Sequence, residues 1–249
     1  MQKNNFLSSI FRIVTLIMLF SISSFAQISH KIWDDLLRKH VDDNGWVNYK
    51  EFKKDTIQLN EYLELLKNNP PNEKKWTKEE QMAFWINAYN AFTVKLILDN
   101  YPLTSIKDIK KGIPFVNSVW DIKFIKIGKN TYDLNNIEHT KLRKKFKDPR
   151  IHFAINCASI SCPNLNNSAF ISDILDKQLN SVAQKFINDK SKNVIKYNKL
   201  ELSKIFSWYQ NDFTTNSSLI DYLNKYSAIK INANANIDYM DYNWKLNGM

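Results

Sequence analysis

Residues 78–98 constrain the fold of this chain most, because they predict one long helix that is apolar on nearly every side. Thr77 is followed three residues later by Glu80, a capping-box pattern that marks where the helix begins. The apolar residues after this start are Met82, Phe84, Trp85, Ile86, Ala88, Tyr89, Phe92, Val94, Leu96 and Ile97. A helix of this kind has no face suited to solvent, so we expect the rest of the chain to pack around it.

The few polar side chains on this helix need a separate explanation. Asn87 lies seven residues after Glu80, and Asn90 lies three residues further on, so all three fall on one side of the helix. A buried amide is unfavourable unless it is hydrogen-bonded. The polar stripe therefore either lines a site or holds the structure together. In the second case each asparagine binds the backbone of a neighbouring loop, and Glu80 only closes the capping box.

The remaining pattern predicts further helices and a few short hairpins. Apolar residues at helical spacing are found at residues 29–40, 55–66, 135–146, 171–188 and 217–226. Residues 124–134 and 194–202 predict hairpins. Asn135 is the predicted cap of the third of these helices, with Glu138 in the capping-box position. We predict one helix-rich α+β domain with small antiparallel hairpins, followed by an extended aromatic tail at residues 237–247.

A short central stretch gathers the reactive side chains of the chain. It contains both cysteines, Cys157 and Cys162, and one of the four histidines, His152. Residues 151–156 predict a short buried strand, and residues 157–163 predict a tight loop of small residues. A strand that opens into a loop fixes the direction of a side chain and leaves it accessible. We therefore place a candidate site here.

Five motifs along the chain form a recognisable set. In chain order they are Phe84-Trp85-Ile86-Asn87-Ala88-Tyr89-Asn90, Ile137-Glu138-His139 with Leu142-Arg143, Asp148-Pro149-Arg150-Ile151-His152-Phe153-Ala154 through Ser161-Cys162-Pro163, Ser203-Lys204-Ile205-Phe206-Ser207-Trp208-Tyr209 with Asp212-Phe213, and Asp241-Tyr242-Asn243-Trp244-Lys245-Leu246-Asn247. This set resembles the family called domain of unknown function 547. The resemblance covers most of the chain. It implies a fold and a shared set of residues rather than a particular reaction.

A cysteine nucleophile with a histidine base is the leading hypothesis for the chemistry. The thiolate is the reactive form of cysteine, and a nearby imidazole lowers the thiol pKa and then carries the proton. Cys162 and Cys157 are the candidate nucleophiles, and His139 and His152 are the candidate bases. On a strand, His152 and Cys157 would face opposite sides because they are five residues apart. We therefore expect His139 to be the partner of one thiol.

This hypothesis also needs a group that orients the base and a group that stabilises an oxyanion. Glu80, Asn87 and Asn90 are the candidates for orienting the base, and Asn90 is also a candidate for binding substrate. Backbone amides in the turn around Cys162 are the candidate oxyanion donors. The expected activity is that of a hydrolase or acyl-transferase acting on peptide or amide bonds, with a papain-like or transglutaminase-like fold.

Two structural alternatives use the same atoms. Both cysteines with His139 and His152 would supply the four ligands of a closed structural zinc site, although we expect no metal or other cofactor. A Cys157–Cys162 disulfide would instead tie the loop to the strand and stabilise the protein by about 2 kcal/mol. With that disulfide, His152 would be a core histidine, and the protein would be a non-catalytic domain that binds a ligand or peptide.

Three further side chains are candidates for binding substrate. Arg143 and Arg150 have the forked geometry that clamps a carboxylate or phosphate, and Trp208 suits a peptide or sugar groove. The structural alternative for Arg143 is to complement the negative end of its helix. The alternative for Arg150 is an ion pair with Asp148 or Asp212.

The N-terminus predicts export. Lys3 and Arg12 precede an apolar run at residues 13–22, and Ser24-Phe25-Ala26 provides small residues at the −3 and −1 positions of a cleavage site. This pattern is typical of a signal peptide at residues 1–26, with an uncleaved anchor as the alternative. We therefore expect residues 27–249 to form a single periplasmic or extracellular domain without a membrane-spanning segment.

The charge of the chain is positive but does not indicate a nucleic-acid partner. Removing residues 1–26 takes away two of the 35 Lys and Arg residues and none of the 25 Asp and Glu residues, which leaves a net charge of +8. Lysines greatly outnumber arginines, and the sequence contains no alternation of arginine and aromatic residues. We expect scattered surface lysines that aid solubility, and a small-molecule or peptide substrate.

Overall fold

The computed structural model describes residues 28–109 and 118–248 of the 249-residue chain. Two predictions fall outside these residues: the signal peptide at residues 1–26 and a helix-breaking segment at residues 111–114.

Four helices make up the first part of the domain. They are α1 (Lys31–His40), α2 (Tyr49–Phe52), α3 (Thr56–Asn68) and α4 (Lys78–Asn100). Helix α3 contacts both α1 and α4, so the N-terminal helices cover one side of α4. The apolar faces of α1 and α3 are buried in this packing through Trp33, Leu59 and Tyr62.

Helix α4 is the centre of the core, as predicted. The backbone N–H of Glu80 donates to Thr77 Oγ1 at 3.1 Å, and the N–H of Thr77 donates to Glu80 Oε2 at 2.6 Å, which completes the capping box. Every residue from Gln81 to Leu98 except Lys95 is buried. Although α4 is long, no helix in the described residues is both long and apolar enough to cross a membrane.

Asn87 and Asn90 each bind the backbone of a distant segment through both ends of the amide. Asn87 donates to the carbonyl of Phe170 at 2.8 Å and accepts from the N–H of the same residue at 3.0 Å. Asn90 donates to the carbonyl of Ala154 at 2.9 Å and accepts from the N–H of Asn156 at 2.8 Å. The structural explanation of the polar stripe is therefore correct, because the donor and the acceptor of both amides are hydrogen-bonded to backbone groups.

The middle of the chain is a run of short elements. Strands β1 (Ile125–Ile127) and β2 (Asn130–Tyr132) form the predicted antiparallel hairpin, with Ile127 opposite Asn130. A π-helix (Asn136–Arg143) follows, and then come α5 (Lys144–Phe146) and α6 (Ile151–Ala154). Single 3-10 turns are also present at Lys53–Asp55, Ile106–Asp108, Val119–Asp121 and Ser172–Ile174.

The predicted capping of the third helix is wrong. Asn135 makes no capping hydrogen bond; its amide donates to Asp121 Oδ1 at 2.6 Å instead. Asp133, two residues earlier, accepts from the N–H of Asn136 at 2.6 Å. The π-helical winding then carries Glu138 into the protein, where it is buried, so Glu138 does not close a capping box.

The strand predicted at residues 151–156 is also wrong. The carbonyls of Asp148, Pro149 and Arg150 accept from the N–H groups three residues later, so a helical turn begins at the Asp-Pro pair. Asp148 Oδ1 also accepts from the N–H of Arg150 at 3.0 Å, which reinforces that turn. A short apolar run does not distinguish a buried strand from a buried helix by its periodicity.

The C-terminal part adds a helix, a small sheet and a helical cluster. Its elements are α7 (Leu175–Asn188), β3 (Val194–Ile195), β4 (Lys199–Leu202), α8 (Lys204–Trp208), α9 (Gln210–Phe213), α10 (Leu219–Leu223) and β5 (Asn236–Tyr239). Strands β3 and β4 form the second predicted hairpin, and β5 pairs in parallel with β4, which the sequence analysis did not predict. The fold is therefore a helix-rich α+β domain with two small sheets.

The extended tail after β5 joins two distant parts of the chain. The carbonyl of Lys245 accepts from the N–H of Ile160 at 2.8 Å, and the carbonyl of Asn247 accepts from the N–H of Val47 at 3.0 Å. Gly248 lies so close to Val47 that an added Cβ would be 2.0 Å from the Val47 carbonyl oxygen. The tail thus packs the cysteine loop against the N-terminal helices.

Replacing Asn90 with alanine tests how much its two hydrogen bonds to the backbone stabilise the fold. The change leaves the Ala154 carbonyl and the Asn156 N–H buried without their partner, so we expect a loss of about 3 kcal/mol in the free energy of unfolding. Urea denaturation measures this loss. The control is Asn100→Ala on the same helix, where a half-buried amide binds only the Leu96 carbonyl and the expected loss is below about 1 kcal/mol. Equal losses of stability in the two variants would contradict this role of Asn90.

His30 makes stability depend on pH. Burial lowers the pKa of His30 to about 4, and its Nδ1 lies 2.7 Å from the Tyr62 hydroxyl. The unfolded chain binds this proton near pH 6.5, so stability falls as the pH drops from 6.5 towards 4. We expect His30 to account for about 2 kcal/mol of loss between pH 7 and pH 5 in urea denaturation. The variant His30→Gln should no longer show this loss of stability between pH 7 and pH 5. The control His139→Gln, at an exposed histidine, should still show it.

Candidate active site

One cavity of about 290 Å³ brings together residues from the middle and the end of the chain. Its lining residues are Tyr89, Trp120, Asn135, Glu138, His152, Ile155, Cys157, Cys162, Pro163, Ile205, Trp208, Tyr209, Tyr242 and Trp244. Four of the residues predicted to form a site are among them: both cysteines, His152 and Trp208. Glu80, Asn87 and Asn90 are not, and the structure gives all three the structural roles described above.

The cysteine loop is held in place by amide side chains. Asn90 binds the backbone on both sides of Ile155, just before the loop begins. Asn156 then accepts from the N–H of Ala158 at 2.8 Å and donates to the carbonyl of Pro163 at 2.6 Å, so it bridges the two ends of the loop. Ala158 has a φ of 58°, a left-handed conformation that is strained for a residue other than glycine. The loop is therefore held in one conformation between Cys157 and Cys162.

Cys157 has the surroundings of a reactive thiol. Its side chain is half-buried, and its Sγ lies 3.2 Å from Ser159 Oγ and 3.4 Å from Tyr242 Oη. Burial acts to raise the pKa of Cys157, but hydrogen bonds from Cys162, Ser159 and Tyr242 outweigh it, and the pKa lies below its ordinary value. A larger share of Cys157 is therefore thiolate at neutral pH than for a free cysteine.

Cys162 is the buried member of the pair. Its Sγ accepts from the backbone N–H of Cys157 at 2.9 Å. Burial and the adjacent Cys157 raise the pKa of Cys162 well above its ordinary value. Both cysteines are free thiols, so the alternative with a Cys157–Cys162 disulfide is not the state of this structure.

His152 is locked to a carboxylate. Its Nε2 lies 2.7 Å from Asp212 Oδ2, and its ring stacks on Tyr209 with the ring centres 4.0 Å apart. Burial lowers the pKa of His152 despite the hydrogen bond to Asp212, which acts to raise it. Burial acts to raise the pKa of Asp212, but hydrogen bonds from His152 and Arg143 hold it below its usual range.

These shifts determine which nitrogen of His152 carries the proton. An ionised Asp212 can only accept, so Nε2 of the neutral imidazole must be the donor. Nδ1 then carries the lone pair and is the nitrogen that can accept a proton. The pair thus resembles the base and orienting carboxylate of a catalytic triad. The predicted opposition of His152 and Cys157 does not hold, because the segment is a helical turn and both residues line the same cavity.

Glu138 is a functional candidate that the sequence analysis missed. It is buried, it lines the cavity, and Tyr209 hydrogen-bonds to it. Burial raises the pKa of Tyr209, and the charge of Glu138 raises it further, so the phenol keeps its proton. The sequence signal for Glu138 is its position beside His139 in the second motif. The spacing of Asn135 and Glu138 predicts a helix cap instead, and that prediction assigns Glu138 no role in a site.

His139 is not brought to the cysteines. It is exposed, and its Nδ1 lies 2.9 Å from Arg143 Nη1. Both side chains line a second cavity that also includes Asp212 and does not include either cysteine. The expectation that His139 is the partner of a thiol is therefore wrong, because the π-helix turns Glu138, and not His139, towards the cysteine cavity.

The two arginines are tied to carboxylates of the protein itself. Arg143 binds Asp212 with both Nε and Nη2, at 2.7 and 3.1 Å, and lies over the Tyr209 ring. Arg150 binds Asp148 and Asp176, each at 2.7 Å, and its pKa is raised mainly by the hydrogen bond to Asp148. Both arginines therefore have structural partners within the protein, the alternative to substrate binding, although Asp212 pairs with Arg143 rather than with Arg150.

Four amides of the loop are already hydrogen-bonded and are not free to serve as oxyanion donors. The N–H groups of Ile160, Ser161 and Cys162 donate to the carbonyls of Lys245, Asn243 and Ser159, and the N–H of Ala158 donates to Asn156. The hydroxyl of Tyr242, from the tail, is a side-chain donor near Cys157 Sγ. Tyr242 lies 85 residues after Cys157, and spacing along the sequence does not predict a contact between residues so far apart.

Aromatic side chains form the outer wall of the cavity. Trp208 is 48% exposed and stacks on Trp244 with the ring centres 5.9 Å apart. Tyr242 contacts both rings, and Trp120 meets Trp244 edge to face at 5.5 Å. This wall suits an apolar or aromatic group.

Two further observations bear on ligands. Within residues 28–109 and 118–248, no group of three or more His, Cys, Asp or Glu side chains is arranged to hold a metal ion, so the zinc alternative is not supported.

Lys192 is buried, and its Nζ binds the carbonyl of Ile160 in the cysteine loop, which places a cation near both thiols.

Comparison with known proteins agrees with the motifs in the sequence. The family model described as "Protein of unknown function, DUF547" matches residues 73–187, whereas Asp212 and the tail lie beyond the match. Comparisons with curated proteins and with solved structures found no match. The match spans the cysteine loop, His152 and Glu138, so residues 73–187 of this chain are similar to the family described as protein of unknown function, DUF547.

Proposed function

We propose that this protein is an exported, cysteine-dependent hydrolase or acyl-transferase that acts on peptide or amide bonds and uses Cys157 as the nucleophile. One observation carries the proposal: a thiol whose pKa is lowered by hydrogen bonds lines the same cavity as the buried His152, whose Nε2 is held by Asp212. A nucleophile, a base and a group that orients the base are the parts that acyl transfer requires.

In the first step, the Cys157 thiolate attacks the carbonyl carbon of the substrate and forms a tetrahedral oxyanion. Tyr242, whose hydroxyl lies 3.4 Å from the sulfur, donates a hydrogen bond to that oxygen. His152 takes the thiol proton of Cys157 on Nδ1 and gives it to the leaving amine, so that the C–N bond breaks and the carbonyl reforms as a thioester on Cys157.

In the second step, water or an amine attacks the thioester. His152, neutral again, removes the proton of the attacking group, and Cys157 leaves as a thiolate. Asp212 keeps the ring in one tautomer and stabilises the imidazolium, and Arg143 holds Asp212 through two hydrogen bonds. Glu138, buried in the same wall, adds a negative charge that favours the protonated imidazole.

The size of the cavity limits the part of the substrate that enters it. A volume of about 290 Å³ accommodates a single side chain or a small acyl group rather than a folded peptide. The papain-like or transglutaminase-like fold expected from the sequence stays a prediction. The proposal concerns the chemistry of the site and not that fold.

A non-catalytic binding domain is the second candidate function. The observation that favours it is the wall of Trp208, Tyr242 and Trp244, which suits ligand binding with or without a reaction. This candidate predicts ligand binding without transfer of an acyl group to Cys157, so acylation of Cys157 separates the two functions.

Alkylation with iodoacetamide at pH 7 should label Cys157 at least about 10-fold faster than Cys162, since only Cys157 has a lowered pKa and a side chain that is not fully buried. Peptide mass mapping over time gives both rates. Tyr242→Phe removes a hydrogen bond to the thiolate and should slow labelling of Cys157. Tyr197→Phe, at a side chain 57% exposed, is the control and should not. Equal rates at the two cysteines would contradict the proposal.

Acylation by p-nitrophenyl acetate tests the catalytic assignment. We expect a burst of p-nitrophenolate and an acetyl group on Cys157, both abolished by Cys157→Ser. His152→Gln and Asp212→Asn should slow acylation by a factor of about 10² to 10⁴, because each removes a part of the base. His139→Gln is the matched control and should react as the wild type does, and thermal denaturation checks that every variant is folded. If His139→Gln were the slower histidine variant, the assignment of His152 would be wrong.

A further inference from the structure

The contact between Cys157 and Cys162 is more than the proposed acyl chemistry needs. One nucleophilic thiol is sufficient for acyl transfer, yet the second thiol of the chain lies against the first. The N–H of Cys157 donates to Cys162 Sγ at 2.9 Å, and the Cys162 thiol hydrogen-bonds to the Cys157 sulfur. Their exposures differ, since Cys157 is half-buried and Cys162 is 5% exposed.

From this geometry we propose a second activity: Cys157 and Cys162 form a thiol–disulfide exchange pair that reduces a low-molecular-weight disulfide, with Cys157 as the attacking thiol and Cys162 as the resolving thiol. The proposal goes beyond acyl transfer, because it needs neither a carbonyl substrate nor His152.

The exchange has two balanced steps. The Cys157 thiolate attacks one sulfur of the disulfide, which forms a mixed disulfide on Cys157 and releases the other half as a thiolate. The Cys162 thiolate then attacks Cys157 Sγ, which forms the Cys157–Cys162 bond and releases the second half. Two electrons pass from the protein to the reagent, and the two protons of the cysteines end on the two released thiols.

The environment of Cys162 favours the second step. The adjacent Cys157 charge is one cause of the raised pKa of Cys162, and that charge is lost once Cys157 is in a mixed disulfide. The N–H of Cys157 and the nearby Lys192 then remain to stabilise a Cys162 thiolate. Consumption of the first thiol therefore activates the second.

The burial of Cys162 sets the order of attack. A disulfide reagent that enters the cavity meets the half-buried Cys157 first, because Cys162, which lines the same cavity, is only 5% exposed. The loop between them is already bridged by Asn156, so the two sulfurs stay close while the mixed disulfide exists.

Oxidised glutathione is the probe for the test, and intact mass is the readout. The reduced wild-type protein should lose two hydrogens without retaining glutathione, and dithiothreitol should restore its original mass. Cys162→Ser cannot resolve the mixed disulfide, so it should retain one glutathione, mapped to Cys157. Cys157→Ser should remain unmodified over the same period, because Cys162 is buried.

The wild-type result alone decides the proposal, even if a variant does not fold. A wild-type protein that keeps glutathione on Cys157, or that does not react, would overturn it. Failure of the acyl chemistry is recognised separately, because p-nitrophenyl acetate would then leave Cys157 unacylated while glutathione still drives disulfide formation.

Discussion

The site depends on one amide inside the central helix. Asn90 reaches out of α4 and binds the backbone on both sides of Ile155, so the helix and the cysteine loop are held by the same side chain. Because α4 is buried on every side, the amide has no water to bind and must keep both partners. The position of Cys157, two residues after Ile155, is therefore set by packing in the core rather than by the loop alone.

A second constraint is electrostatic and comes from the C-terminal part of the chain. Asp212 lies in α9, and it binds both His152 and Arg143. With a cation on one side and a buried imidazole on the other, the carboxylate stays ionised and holds one histidine tautomer. The tail then brings Tyr242 to the cysteine sulfur, so the site is complete only when the last residues have packed.

The sequence predicted the parts of this arrangement that depend on local pattern. The capping box, the buried helix, both hairpins and the cysteine loop follow from spacing and turn residues, and the structure confirms them. The sequence did not predict which residues would be partners. The contact between His152 and Asp212 spans 60 residues of the chain, and the contact between Cys157 and Tyr242 spans 85. The choice of His139 failed for a local reason: π-helical winding changes which of two adjacent side chains faces inward, and hydrophobic spacing does not reveal it.

The two proposed activities draw on the same hydrogen bonds. Cys162 helps to keep Cys157 as a thiolate, and the same closeness allows Cys162 to attack Cys157 once the first thiol has reacted with a disulfide. An acyl thioester presents a carbonyl carbon to the cavity, where water or an amine attacks, whereas a mixed disulfide presents its sulfur to Cys162. The electrophile that first meets Cys157 therefore decides the outcome. Disulfide exchange removes the nucleophile from acyl chemistry until the Cys157–Cys162 bond is reduced.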